Sequence, residues 1–80
     1  SNFEMDNVIL YPNPVKNILN ITSKNFSIES FYVYSLLGEL IMEQKYNKSH
    51  SIDVSSLSEG IYIIEVRSIN GINIQKFIKE

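Results

Sequence analysis

The apolar residues of this chain fall in short runs broken by Asn, Ser and Gly, and isoleucine dominates them, with tyrosine and phenylalanine among the rest. That is strand composition, and no segment sustains a 3.6-residue period. The nearest candidate for a helix, Leu36 to Lys45, contains Gly38 and reads as a turn followed by a strand. A first strand is predicted at Val8 to Tyr11, ended by Pro12 and Pro14, neither of which donates to a ladder. A second covers Asn17 to Thr22, with Leu19 and Ile21 on one face, Asn20 and Thr22 on the other, and Asn17 and Asn25 as flanking turn formers.

In the third strand, Ser30 to Ser35, Phe31 and Val33 alternate with Tyr32 and Tyr34, so both faces are apolar and the pattern does not choose the inward one. Leu36 to Glu39 makes a tight hairpin in which Gly38 supplies a positive φ, and Leu40 to Lys45 returns as a fourth strand. After a polar Tyr46 to Ser49 turn comes a short fifth strand, His50 to Val54, closed by a turn at Ser55 and Ser56 that Asp53 or Ser55 caps. Gly60 opens the sixth strand, whose core face is Tyr62, Ile64 and Val66. The pair Asn70 and Gly71 predicts a type I′ hairpin leading to a last strand from Ile72 to Ile78. Seven short strands with closely spaced turns predict an all-β, seven-stranded sandwich of two antiparallel sheets.

Eighty residues hold one core and no second domain. Residues 1–7 are set apart as a linker or cloning remnant, leaving 8–80 as the domain. A domain of this size buries roughly 60% of the surface its unfolded chain exposes. With no cysteine, packing and sheet pairing must hold it together. Seven basic residues scattered among nine acids, for a net charge of -2, provide no footprint for nucleic acid. No apolar run approaches the ~20 residues of a membrane span, and a signal peptide, if the protein is exported, is expected upstream of Ser1.

The order of punctuation then becomes informative. Tyr11-Pro12-Asn13-Pro14 is followed by Val33-Tyr34-Ser35-Leu36-Leu37-Gly38, then by the run from Leu57 to Val66 (LSEGIYIIEV), then by a terminal Gln75-Lys76-Phe77-Ile78-Lys79-Glu80. In this order and spacing, over residues 8 to 80, the chain resembles the type A C-terminal sorting domain of Bacteroidetes proteins exported by the type IX secretion system. The resemblance implies an immunoglobulin-like sandwich at the end of a larger exported protein, in the periplasm in transit and then at the outer membrane, on the cell surface or outside the cell. It implies as partners the type IX translocon, outer-membrane shuttle components and a sortase-like peptidase. That peptidase usually removes the domain, cutting upstream of the Pro-Asn-Pro region, and often joins the parent to surface lipopolysaccharide.

Carried over by residue, Pro12, Asn13 and Pro14 match the first motif, Gly38 the second, and Leu57, Gly60 and Tyr62 the third, all in structural roles. Tyr62 brings a ring whose hydroxyl needs a partner at the sandwich end. Lys76, Phe77, Ile78 and Lys79 are the recognition candidates. Two departures stand out: Ser35 occupies a position where the family commonly has an acid or amide, and Gln75 and Glu80 dilute the terminal basic motif. The expected mechanism is strand addition at the unpaired edge of the last strand, with Lys76 and Lys79 supplying charge. The same edge invites dimerisation.

Catalytic chemistry finds no support. Ser49 or Ser51, His50 and Asp53 are neighbours on one short strand and project to alternate faces, so they do not converge as a triad. One histidine and no cysteine make no zinc set, and calcium would be left with loop oxygens around Asp53 and Glu59. Glu39 and Glu43 read as a solvated pair on one strand face, and Gly60 and Gly71 precede no helix that would make a phosphate loop. No cofactor is expected, and the domain is read as non-enzymatic. The alternative reading is an accessory carbohydrate-binding or adhesion module of a secreted hydrolase, using Tyr32, Tyr34 and Tyr46 as a platform. An exposed coplanar tyrosine pair would favour that alternative, and burial of Tyr32, Tyr34 and Tyr62 would favour the sorting domain.

Overall fold

The computed structural model describes residues 8–23, 28–45, 50–69 and 71–80. It contains seven strands and, among the described residues, no helix: β1 (Val8–Tyr11), β2 (Ile18–Ser23), β3 (Ile28–Tyr34), β4 (Leu40–Lys45), β5 (Ser51–Asp53), β6 (Gly60–Ser68) and β7 (Gly71–Lys79). They form two antiparallel sheets, one in the order β1-β2-β5 and one in the order β4-β3-β6-β7. The all-β sandwich expected from the sequence is therefore the observed fold, with strand ends displaced by a residue or two. The Asn25 and Tyr46-to-Ser49 turns lie outside the described residues.

The core is built from alternate positions on both sheets. Leu19 and Ile21 of β2 and Ile52 of β5 face Phe31 and Val33 of β3, Ile64 and Val66 of β6 and Phe77 of β7, all essentially inaccessible to water. The ambiguity of β3 is thereby settled: Phe31 and Val33 point inward, and Tyr32 and Tyr34 lie half-buried on the outer face. Facing apolar layers of this kind are the main stabilising term in a chain without disulfides.

Three local details depart from the simplest strand pattern. The register of β3 and β4 shifts between Val33, opposite Met42, and Tyr34, opposite Leu40, so one residue of β4 is bulged. This irregularity separates Glu43 from Glu39, which sits before β4 in the turn, so the two are not simple neighbours on a regular strand face. His50 has φ 51° and lies outside β5, which starts at Ser51. Finally, Ser68 pairs with Gly71, so Gly71 already belongs to the β7 ladder, one residue before the expected start at Ile72. Asn70 itself is not among the described residues.

Two of the described turns carry an identifiable acceptor. The Ser35 hydroxyl accepts from the Leu37 and Glu39 amides at 3.3 and 3.2 Å, while Gly38, at φ +91°, donates its amide to the Ser35 carbonyl at 3.0 Å. An Asp or Asn would present a side-chain oxygen to the same amides, which is why a serine substitutes there at little cost. At the β5 exit it is Asp53 that caps: its Oδ1 accepts from the Ser55 amide at 2.9 Å. Hydrogen bonds from the Ser55 side chain and then its backbone hold the Asp53 carboxyl below its ordinary value of 3.8.

Candidate recognition surface

Strand β7 is the last of its sheet, so one of its edges faces away from β6. That edge is not uniform. At its C-terminal end, the chain leaving β1 folds against it: Asn13 Oδ1 accepts from the Ile78 amide at 2.9 Å, the Val15 amide donates to the Ile78 carbonyl at 2.8 Å, and the Glu80 amide donates to the Val15 carbonyl at 2.8 Å. Val15 and Lys79 form a parallel bridge, and Val15 is wholly buried. The terminal strand therefore does not end in unpaired groups, as strand addition at its tip requires. The Pro-Asn-Pro segment, with both Tyr11–Pro12 and Asn13–Pro14 peptide bonds cis, is the cover.

The four recognition candidates divide accordingly. Lys76 and Ile78 are exposed. Phe77 is a core side chain whose ring stacks on Tyr62 with centroids 5.7 Å apart, and Lys79 is 7% accessible with its Nζ on the Glu80 main-chain oxygen at 2.7 Å. Burial places Phe77 and Lys79 in the fold's support, while Lys76 and Ile78 remain on the surface.

The third motif is structural in a way the sequence allowed. The Tyr62 hydroxyl donates to the Ser58 carbonyl at 2.8 Å, tying β6 to the loop before it. Leu57 packs against the core from that loop, its amide on the Val54 carbonyl at 3.0 Å. Gly60, at φ +154°, begins the strand between them.

Beyond Ile78 the edge opens. Because the backbone groups of Ile78 point away from β6, the period of two points those of Lys76, Ile74 and Ile72 the same way. Side chains on the outer face follow from the register: Ile61 lies opposite Ile78, Ile63 opposite Lys76, Glu65 opposite Ile74 and Arg67 opposite Ile72. Ile74 is 60% accessible. Arg67 is occupied twice over, bonded to Glu65 and seated 4.2 Å above the Tyr32 ring. The Glu65 bond raises the guanidinium above its ordinary value. The exposed coplanar tyrosine pair that a carbohydrate platform needs is thus not formed by Tyr32, whose ring face carries a guanidinium. Tyr46 is outside the described residues.

Two glutamines, Gln75 and Gln44, close the sandwich at its sides. Gln75, on the inward parity of β7, donates to the Val8 carbonyl of β1 at 2.7 Å. Gln44, on the inward parity of β4, donates to the Ser51 carbonyl of β5 at 2.7 Å. Each joins an edge strand of one sheet to an edge strand of the other. Gln75 thus has a structural bond at the position where it interrupts the terminal basic motif. The available signal was its parity with Phe77. Among the described residues no group of three His, Cys, Asp or Glu side chains gathers as a metal site, and no helix is long and apolar enough to cross a membrane.

A sequence profile described as the secretion system C-terminal sorting domain matches residues 9–80. Among characterised proteins, the chain is 37% identical over 65 residues to an ulvan lyase of Nonlabens ulvanivorans and 38% identical over 69 residues to beta-agarase D of Zobellia galactanivorans. These alignments cover 79% and 86% of this chain but only 12% and 14% of the relatives, so the chain corresponds to a small part of each. The chain therefore belongs to the type IX secretion C-terminal sorting domain family, whose members direct export to the cell surface or the extracellular space.

Proposed function

We propose that this domain is the address of a larger exported protein, read by the type IX translocon and its outer-membrane shuttle components, and then removed upstream of Pro12 by a sortase-like peptidase that releases the parent or joins it to the surface. The observation that carries the reading is the match along residues 9–80, which includes every motif seen in the sequence. The domain has no catalytic role in this scheme. Its motif residues hold a fold, and its surface makes the contact. The relatives' names describe a lyase and an agarase, and the parent of this chain belongs in the same proposal as an exported polysaccharide-degrading enzyme.

The test is export of a reporter carrying residues 1–80 in a type IX-competent cell, with a translocon-deficient strain as control. The expected result is reporter in the medium or on the surface of the competent strain alone. A folded fusion that stays in the periplasm of both strains contradicts the reading. Deleting Lys76 to Glu80 is a poor test of recognition because it removes Phe77 from the core. Surface substitutions separate recognition from folding.

A further inference from the structure

The sealed and open parts of the β7 edge identify where a partner strand docks and what that strand must carry. From the open donors and acceptors of Ile72, Ile74 and Lys76 and the isoleucine face beside them, we infer that this stretch takes an extended segment of a partner protein as an added strand, apolar on its outer face and bearing a carboxylate opposite Lys76. The inference rests on the sorting reading for the identity of the partner as part of the export machinery.

Three observations select this occupant. The tip of the edge is already satisfied by Asn13 and Val15, so an incoming strand has room only from Lys76 toward Ile72. The outer face immediately around Lys76 is apolar: Ile74 and Ile78 are its strand neighbours on that face and Ile63 lies directly across, while the paired Glu65 and Arg67 lie farther along, opposite Ile74 and Ile72. The charges nearby do not meet it, because Glu65 is engaged by Arg67, and among the described residues Lys76 forms no ion pair. A carboxylate brought in on a partner strand would be desolvated by the surrounding isoleucines and paired in the same step, which gives such a contact its specificity.

A second copy of this chain fits less well. In the antiparallel self-pairing centred on Ile74, Ile74 meets Ile74 but Lys76 of each copy lies opposite Ile72 of the other, and both cations remain unmatched. Electrostatics thus favours a different, acidic partner.

The experiment uses the reporter fusion with Ile74→Pro, which removes a donor that β6 does not use, Lys76→Glu, which reverses the charge, and Lys45→Glu on the opposite edge as control. Thermal unfolding confirms that each variant is folded. Exported reporter is expected to fall at least about tenfold for Ile74→Pro and for Lys76→Glu, the change that about 1.4 kcal/mol of binding produces, and to be unchanged for Lys45→Glu. If the unaltered fusion is not exported, the sorting reading fails and this inference falls with it. If the unaltered fusion is exported and the two β7 variants, folded, are exported equally well, the inference alone is overturned. Concentration-dependent dimerisation that Ile74→Pro abolishes while export persists overturns it in favour of self-pairing.

Discussion

Two stretches of one strand, Ile72 to Lys76 and Phe77 to Lys79, differ in almost every physical respect. The latter is buried at Phe77 and Lys79, stacked on Tyr62, and hydrogen-bonded along its free edge by a segment more than sixty residues earlier in the chain. The former shows isoleucines to solvent and carries backbone groups directed away from the sheet. Sequence motifs concentrate in the sealed stretch and contact potential in the open one. A terminal motif can therefore be essential to export for two unrelated reasons, and substitutions along β7 separate them.

The sharpest separation is at Phe77. Truncation to alanine removes a fully buried ring from the core and is expected to cost about 3–5 kcal/mol, against less than about 0.5 kcal/mol for Ile74→Ala on the exposed face. Chemical denaturation of the two variants measures both. Similar costs at the two positions would dissolve the distinction.

Asn13→Ala tests the seal itself. It leaves the Ile78 amide without its side-chain acceptor while the two Val15 bonds remain, so a loss of about 1 kcal/mol is expected, with faster amide exchange at Ile78. Ser35→Ala acts at the other end of the sheet, where one hydroxyl serves two amides. A loss of about 1 kcal/mol is expected from thermal unfolding, restored by Ser35→Asp.

The smallest effect is the pH dependence contributed by Asp53. Its folded-state pKa lies below the ordinary 3.8, so its cap is fully present above that pH and is lost as pH falls through the lower folded value. Stability should decline on acidification below about pH 3.8, and Asp53→Asn should flatten that part of the pH profile.

Much of this architecture was legible beforehand, because alternation and turn chemistry are local. Leu19 with Ile21, Ile64 with Val66 and the Gly38 hairpin follow from neighbours in sequence, as does a cap at Asp53 or Ser55, which the structure assigns to Asp53. Tyr62 needed a partner for its hydroxyl, and Ser58 provides it. What escaped is long-range: a strand with two apolar faces, such as β3, reveals its inward side only when a second sheet packs on it. Neither the covering of Ile78 by Asn13 nor the bond from Gln75 to Val8 can be read from spacing, since their partners are separated by 65 and 67 residues. The recognition candidates were placed by motif, and burial then divided them.

Residue-resolved hydrogen exchange along β7 tests the division most directly. The account predicts protected amides at Ile78 and Glu80, matching those paired within the β6–β7 ladder, and fast exchange at Ile72, Ile74 and Lys76. Uniform protection through Ile72, Ile74 and Lys76, or fast exchange at Ile78, would contradict it.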